Sequence, residues 1–292
     1  AHLVFAVCNP GDVVLVPEPG YQAYLGGAIL AGAVPHVVPL RAERGFLLEL
    51  DDVPEEVLAR TKLVFLNYPN NPTAAVAPRD YLERMVAACR ARGIVLAYDN
   101  AYSDITFDGY VAPSIFEIAG ARDVAIEFFS LSKSFQMTGW RIGFAAGGAP
   151  LIAALSKVKS YVDTGVFLAL QRAGAWTLDH AESLVAPIVA ELAVRRDAAV
   201  DALRAAGFTV EAPKGAMYLW VPLPTGVASA DFAMHALEQE GVVVLPGSGF
   251  GPGGEGFFRI ALTVPAARLA EAVVRLGRAL AAVQGGGTVA AR

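Results

Sequence analysis

Residues with reactive or ligand-binding side chains follow four short apolar runs of this 292-residue sequence. They comprise an aromatic ring, an amide, a carboxylate, a phenol, two hydroxyls, a primary amine and a guanidinium. In chain order these residues are Tyr21, Asn71, Asp99, Tyr102, Ser130, Ser132, Lys133 and Arg141. A lysine amine can act as a nucleophile or carry a proton, and an arginine with hydroxyls can hold a phosphate. The set therefore indicates a site for an aromatic, phosphorylated aldehyde.

The four apolar runs, together with a fifth, predict the strands that must position these side chains. Each run is short and apolar on both faces, as expected for parallel strands covered by helices. The predicted strands cover 13–16, 36–38, 63–66, 94–97 and 125–129. Between two of them, Arg79–Arg92 predicts an amphipathic helix with Gly93 as its C-terminal cap. This alternation predicts a mostly parallel sheet, and ligands bind beyond the carboxyl ends of such strands.

The pattern changes in the C-terminal third. A long helix is predicted over His180–Ala206, and strands of a smaller α+β unit follow it. The expected elements are strands at Val210, Met217–Val221, Val242–Leu245 and Phe257–Leu262, a final helix over Ala266–Val283 and a loose tail over Gly285–Arg292. We therefore predict an α/β fold, in which residues 1–190 form a three-layer, mostly parallel sheet with helices on both faces. Residues 191–292 are expected to form a smaller C-terminal α+β domain.

Composition excludes several classes of function. The net charge of −5 leaves no electrostatic footprint for nucleic acid, and no apolar run reaches the roughly 18 residues that a membrane span needs. The two cysteines, Cys8 and Cys89, lie far apart, and the four histidines show no ligand spacing. We therefore expect no disulfide, no metal site, no nucleic-acid or membrane partner, and a cytoplasmic location.

Three ordered motifs carry a resemblance to a known family. Residues 130–143, read as SLSKSFQMTGWRIG, are similar to the lysine signature of class I/II aminotransferases, which use pyridoxal phosphate. Residues 68–73 (YPNNPT) and 99–102 (DNAY) resemble the two companion motifs at suitable distances. The similarity runs along essentially the whole chain, and the sequences of the motifs are most similar to those of the LL-diaminopimelate aminotransferase-like branch. It implies the fold type I architecture of the aspartate aminotransferase superfamily.

The resemblance implies roles for the catalytic and ring-binding residues. Lys133 would form the Schiff base with pyridoxal phosphate and would then shuttle a proton as base and acid. Asp99 would pair with the pyridine nitrogen and keep it protonated, and Tyr21 would stack on the ring. Asn71 and Tyr102 would donate hydrogen bonds to the phenolic oxygen of the ring.

The resemblance also implies how the two anionic groups are held. Ser130, Ser132 and Arg141 would bind the phosphate. Arg259 lies within the apolar segment 257–262, where a cation needs an anionic partner. That partner would be the substrate α-carboxylate, with Asn71 and Tyr21 also close to the substrate.

A glycine-rich segment, Gly249–Gly254, fits the G-x-G-x-x-G spacing of dinucleotide-binding motifs. Those motifs need a helix N-terminus directly after the glycines, whereas here a predicted strand lies on each side. We interpret the segment as a glycine loop beside the substrate entrance.

The sequence departs from the family pattern in two places. Family members carry roughly a hundred further residues before the position of Ala1, including a glycine-containing phosphate loop and a tyrosine that reaches the cofactor of the partner subunit. We therefore expect residues 1–292 alone to retain the cofactor weakly and to be poorly soluble. Ala74 stands where the motif usually has glycine, and its methyl group is expected to be tolerated if φ stays negative.

Three functions stay open at this point. The first is transfer of an amino group between an L-amino acid and a 2-oxo acid, with glutamate or alanine as the expected donor. The second is a C–S lyase that uses the same cofactor and fold, and the third is a non-catalytic aminotransferase-like domain. The resemblance implies a homodimer, and the sequence does not name the amino acid substrate.

Overall fold

The computed structural model describes residues 1–284, and a six-stranded sheet forms its centre. The tail expected over Gly285–Arg292 lies outside the described residues. The strands are β1 (Val13–Glu18), β2 (Val34–Pro39), β3 (Thr61–Asn67), β4 (Val95–Asp99), β5 (Ala125–Ser130) and β6 (Gly143–Gly147). Their order is β2-β1-β3-β4-β5-β6, with β1 to β5 parallel and β6 antiparallel to β5. The prediction of a mostly parallel sheet is confirmed.

Helices cover both faces of this sheet. They are α1 (His2–Val7), α2 (Gln22–Leu30), α3 (Glu55–Leu58), α4 (Arg79–Arg92), α5 (Leu131–Ser134), α6 (Ala149–Val162) and α7 (Leu168–Asp179). Neighbouring side chains of a strand point to opposite faces. Val13 and Leu15 accordingly pack in one core with α4, whereas Val14 and Val16 pack in another with α2. This burial on both faces explains the continuous apolar runs in the sequence.

Helix α4 begins and ends where the sequence predicts. Its buried face carries Leu82, Met85, Val86 and Cys89. Gly93 follows with a φ of 67°, the left-handed region that glycine adopts without a Cβ clash. The helix therefore covers one face of the sheet and then returns the chain directly into β4.

A second, antiparallel sheet lies in the C-terminal third, in the order β7-β9-β8. Its strands are β7 (Tyr218–Pro222), β8 (Leu245–Pro246) and β9 (Phe257–Ala261), and its helices are α8 (Ala181–Ala205), α9 (Ser229–Glu240) and α10 (Ala266–Gln284). Leu219 and Phe258 pack with all three helices in a third core. Sequence analysis did not predict α9. The expected domain boundary at 190 falls inside α8, and the division into domains stays a prediction.

Two strand predictions in this region are wrong. Val210 lies in no strand, and of the predicted strand Val242–Leu245 only Leu245 pairs with β9. Val242 and Val244 are buried, whereas Val243 is 75% exposed. The alternating pattern therefore predicted burial correctly, but the segment is extended without joining the hydrogen-bonded ladder.

The segment after β4 connects the two sheets. After β4 the chain continues through Tyr102, Ile105 and Phe107, whose side chains pack in the C-terminal core. Thr106 also forms an isolated antiparallel bridge with Gly215, just before β7. Residues at the end of β4 are therefore held next to those of β7 and β9. None of the helices within residues 1–284 is both long and apolar enough to cross a bilayer.

Candidate active site

One cavity of about 730 Å³ opens at the carboxyl ends of the parallel strands. All nine residues that the sequence singled out line it, namely Tyr21, Asn71, Asp99, Tyr102, Ser130, Ser132, Lys133, Arg141 and Arg259. Arg259 comes from β9, and the others come from β4, from β5, from α5 or from segments that follow strands of the parallel sheet. The cavity therefore lies at the position where open α/β sheets bind ligands, and the antiparallel sheet forms part of its wall.

The register of the parallel sheet places Asn67 and Asp99 side by side at its carboxyl edge. Asn67 at the end of β3 pairs with Asp99 at the end of β4. The Asn67 side-chain amide donates to the Asp99 carbonyl oxygen at 2.7 Å. Lys133 lies in α5, directly after the neighbouring strand β5, and its Nζ is 6.0 Å from the centroid of the Tyr102 ring. The side chains of Lys133 and Asp99 thus line the same cavity.

The Asp99 carboxylate is held by neutral donors. The Tyr24 hydroxyl donates to its Oδ2 at 2.6 Å, and the Tyr24 ring stacks on Phe65 with centroids 4.6 Å apart. Burial raises the pKa of Asp99 above its usual value, although the bonds from Tyr24 and from the Ala101 backbone, together with the charge of Lys133, oppose that shift. Within residues 1–284 no side chain forms an ion pair with Asp99. A cationic group placed beside it would therefore be stabilised.

The segment after β3 is shaped by its own amides. The Asn71 N–H donates to Asn67 Oδ1 at 2.9 Å, and Asn70 Oδ1 accepts from both the N–H and the hydroxyl of Thr73. Ala74 closes the turn through an N–H bond to the Asn70 carbonyl at 3.0 Å. Its φ is 58°, so the condition of a negative φ is not met. A Cβ in this left-handed region costs about 1–2 kcal/mol, which explains why glycine is expected there.

Arg259 is a half-buried cation without an acidic partner among the described residues. Its Nη1 donates to Asn71 Oδ1, and its guanidinium carbon lies 4.2 Å from the Tyr218 ring centroid and 4.7 Å from that of Phe250. Burial lowers the pKa of Arg259. Its Nε is buried and has no hydrogen-bond acceptor within residues 1–284. The group thus has donors to spare for an anion that enters the cavity.

The wall formed after β5 supplies hydroxyls and a second guanidinium. Ser132 is buried, Ser130 is half-buried, and Arg141 is exposed at the cavity edge. Arg141 has a φ of 52°, and its Nη1 donates to the Thr138 carbonyl at 3.1 Å. The remaining donors of that guanidinium stay available, so this wall suits a phosphate.

The glycine loop, Gly249–Gly254, lies between β8 and β9, so no dinucleotide-binding helix follows it. Three hydrogen bonds join it to the end of β1 and the residues that follow. The Gly253 N–H donates to Glu18 Oε1 at 3.0 Å, the Gly20 N–H donates to the Phe250 carbonyl at 3.3 Å, and the Gln22 side-chain amide donates to the Gly249 carbonyl at 2.8 Å. These bonds fix the loop against the parallel sheet and hold Phe250 over Arg259. Its predicted position beside the cavity matches the structure.

Sequence analysis missed four residues of the site: Tyr24, Asn67, Tyr218 and Phe250. Tyr24 carried a usable signal, because it lies three residues after Tyr21 at the start of a helix, on the same face. Asn67 directly ends an apolar strand, as Asp99 does. Tyr218 and Phe250 carried no local signal, since an aromatic residue in a strand or a glycine loop is usually core.

Comparison with known proteins identifies the family. The sequence model described as "Aminotransferase class I and II" matches residues 1–276. The chain belongs to the class I and II aminotransferases. It is 49% identical over 276 residues to the LL-diaminopimelate aminotransferase of Desulforudis audaxviator, which covers 94% of this chain and 70% of that protein. It is 47% identical over 271 residues to LL-diaminopimelate aminotransferase 2 of Trichormus variabilis, with 93% and 70% covered.

Solved structures agree with this assignment. A probable N-succinyldiaminopimelate aminotransferase from Thermus thermophilus superposes with a TM-score of 0.90 at 39% identity, covering 96% of this chain and 74% of that one. An aromatic aminotransferase from Pyrococcus horikoshii gives a TM-score of 0.91 at 31% identity, covering 97% and 77%. The aminotransferase therefore has the fold expected from its sequence motifs. It is a transferase of a family that depends on pyridoxal phosphate, and the matched relatives do not favour the lyase alternative.

Proposed function

We propose that this aminotransferase binds pyridoxal phosphate in the cavity, with Lys133 joined to the aldehyde and Asp99 against the ring nitrogen. The observation that carries the proposal is the convergence of all nine sequence-derived residues on that cavity. Asn71 and Tyr102 would donate to the phenolic oxygen, Tyr21 would cover the ring, and Ser130, Ser132 and Arg141 would hold the phosphate.

The chemistry of the donor set fits this cofactor. Asp99 is a carboxylate in a site that lacks an ion-paired side chain among residues 1–284, and a protonated ring nitrogen supplies the missing positive charge. The Asn71 oxygen already accepts from Arg259, which leaves its amide hydrogens to donate. The site thus combines a carboxylate for the ring nitrogen with donors for the ring oxygen.

The residues divide the work of transamination. When bound, pyridoxal phosphate supplies an electron sink that makes the substrate Cα–H acidic. Arg259 holds the substrate carboxylate and thereby orients Cα. Lys133 would take the Cα proton as a base and give it back as an acid on the cofactor side. Asp99 would place its negative charge beside the ring nitrogen, which would favour the protonated ring.

We further propose a substrate related to LL-diaminopimelate, with a 2-oxo acid as the amino-group acceptor. Support comes from matched relatives, several of which bear the name LL-diaminopimelate aminotransferase at 44–49% identity. Rates with LL-diaminopimelate, alanine, aspartate and phenylalanine, each with 2-oxoglutarate, test this. A higher kcat/KM for any of the other three amino acids would contradict the substrate proposal while leaving transamination intact.

Lys133→Ala tests the reaction itself. Without the amine, we expect the visible absorbance of the bound aldehyde to shift and turnover to fall by at least about a thousandfold, the range for loss of a covalent catalyst and its proton transfer. Lys157→Ala, an exposed lysine of α6, is the matched control and should change neither. Release of ammonia and pyruvate from a thioether, without pyridoxamine phosphate after amino acid alone, would favour the lyase instead.

A homodimer and a cytoplasmic location belong to the same proposal. Large apolar side chains stand exposed on or beside α6 and α7, namely Tyr161, Val162, Phe167, Leu168 and Trp176. Such a patch favours a protein interface. Sedimentation should give twice the chain mass, and Phe167→Asp should lower it.

The two cysteines bear on the proposed cytoplasmic location. Both cysteines are free, as in a reducing compartment, and cell fractionation tests that location.

A further inference from the structure

We infer that Tyr218 is a positioning residue for both halves of the site: its hydroxyl orients Tyr102 and its ring supports Arg259. The inference rests on the proposed function, which gives Tyr102 and Arg259 their tasks. Tyr218 lies at the start of β7, lines the cavity and belongs to the C-terminal core. It is not among the residues that the motifs mark.

The hydroxyl of Tyr218 controls the single proton of Tyr102. The two phenol oxygens are 2.9 Å apart, and both side chains are buried. Each phenol has one proton to donate and can also accept. When Tyr218 donates, Tyr102 accepts and keeps its own proton for a ring oxygen in the cavity. Tyr218 thereby fixes the direction in which Tyr102 donates.

The Arg259 cation favours this direction. Its guanidinium carbon lies 4.2 Å from the Tyr218 ring centroid, within the range of a cation–π contact. A positive charge over the ring stabilises electron density that moves from the hydroxyl into the ring, so Tyr218 becomes the stronger donor of the pair. Among residues 1–284, no cation lies over the Tyr102 ring as closely, since Lys133 is 6.0 Å away.

The ring of Tyr218 acts separately on Arg259. Together with Phe250 it holds the guanidinium between two aromatic rings, and Asn71 accepts from one Nη only. The cation is therefore oriented by ring faces, which use none of its N–H donors. Nε and the remaining N–H groups stay free for a substrate carboxylate.

Two substitutions separate these contributions. Tyr218→Phe removes the hydroxyl and keeps the ring, whereas Tyr218→Leu removes both. Tyr81→Phe is the matched control, because its buried hydroxyl donates to the Leu48 carbonyl at 2.7 Å outside the cavity. Circular dichroism and thermal melts check folding, and Tyr218→Met replaces the leucine variant if that one unfolds.

The measurements use the full chain loaded with pyridoxal phosphate. The pH midpoint of its visible absorbance reports the donors on the ring oxygen, and the Kd of glutarate, a carboxylate without an amino group, reports Arg259. Tyr218→Phe should raise the midpoint by about half a pH unit, since a weaker donor favours the protonated imine, and should leave the Kd unchanged. Tyr218→Leu should also weaken glutarate binding by about fivefold, and Tyr81→Phe should change neither.

An unmoved midpoint in Tyr218→Phe would overturn the inference, as would equal weakening of glutarate binding by the phenylalanine and leucine variants. A wild-type chain that takes up no pyridoxal phosphate would overturn the proposed function and this inference with it. If the wild-type chain binds pyridoxal phosphate and Tyr218→Phe leaves the pH midpoint unchanged, only the inference is overturned.

Discussion

Asp99 and Arg259 are half-buried charges that line the cavity from different sheets, Asp99 at the end of β4 and Arg259 in β9, and the protein stabilises them differently. Burial raises the pKa of Asp99 and lowers that of Arg259, so in both cases burial opposes the charge. Asp99 receives directed hydrogen bonds from Tyr24 and the backbone, whereas Arg259 lies between two aromatic rings. Directed bonds fix one orientation of a carboxylate. Ring faces hold a cation while its own donors remain free for a ligand that comes and goes.

The largest effect is expected at the end of β4. Asp99→Asn removes the charge that keeps a ring nitrogen protonated, and kcat should fall by about a thousandfold, as for breaking a buried charge pair. The Kd of glutarate should not change, because Arg259 is untouched. Asp104→Asn, an exposed carboxylate in the same segment, is the control. Equal losses of kcat and glutarate affinity in Asp99→Asn would show that the two charges are not independent.

Arg259→Lys tests the opposite sheet. An ammonium cannot reproduce the planar fork or its stacking between two rings, so KM for the amino acid should rise by about thirtyfold. The pH midpoint of the visible absorbance should rise by less than it does in Tyr218→Phe, because the Tyr218 hydroxyl remains and loses only the cation over its ring. Steady-state kinetics and titration together can check both effects. Arg268→Lys, exposed at the start of α10, serves as the control. A shift of the midpoint larger than that of Tyr218→Phe would mean that the cation also acts on the ring oxygen by a route other than Tyr218.

The smallest effect is expected for Tyr24→Phe, which removes the neutral donor to Asp99. A carboxyl whose folded pKa lies above its unfolded value contributes stability that is present at low pH and is lost as pH rises through the folded pKa. Losing the Tyr24 bond raises that pKa further. Urea unfolding of the cofactor-free variant should therefore show about 1 kcal/mol less stability than wild type at pH 8 and a smaller deficit at acid pH.

Tyr161→Phe, at an 82% exposed tyrosine, should match wild type at every pH. A deficit of Tyr24→Phe that is equal at all pH values would show that Tyr24 acts through its stacking on Phe65 rather than through Asp99.

The comparison also explains what the sequence could reveal. Strands buried on both faces produce unbroken apolar runs, so the polar residue that ends each run stands out, as Asp99 does. The antiparallel sheet offers no such marker. Arg259 was found because a charge inside an apolar strand is unusual, whereas Tyr218 in β7 resembles an ordinary core residue. Its role depends on contacts with Tyr102 and Arg259, which are distant in sequence.

Errors in the fold prediction have a related cause. Val242 and Val244 alternate in burial with Val243, and periodicity reports burial rather than hydrogen-bonded pairing. Ala74 was expected to be harmless at negative φ, yet the turn that the Asn70 side chain and backbone impose places it at 58°. The glycine that the motif usually carries at this position was the sequence signal of a left-handed φ.

The glycine loop bears on how sequence motifs are interpreted. A Cβ at 251 would overlap the Glu18 carboxylate, and a Cβ at 254 would overlap the carbonyl of Gly247. Gly254 is therefore required by the close approach of the Gly247 backbone, and Gly251 by its φ of 107°, which side chains rarely adopt. In dinucleotide-binding proteins the same glycine spacing leaves room for a diphosphate, whereas here it leaves room for another part of the polypeptide. Glycine spacing therefore indicates a close approach to the backbone, and the surrounding elements determine which group approaches.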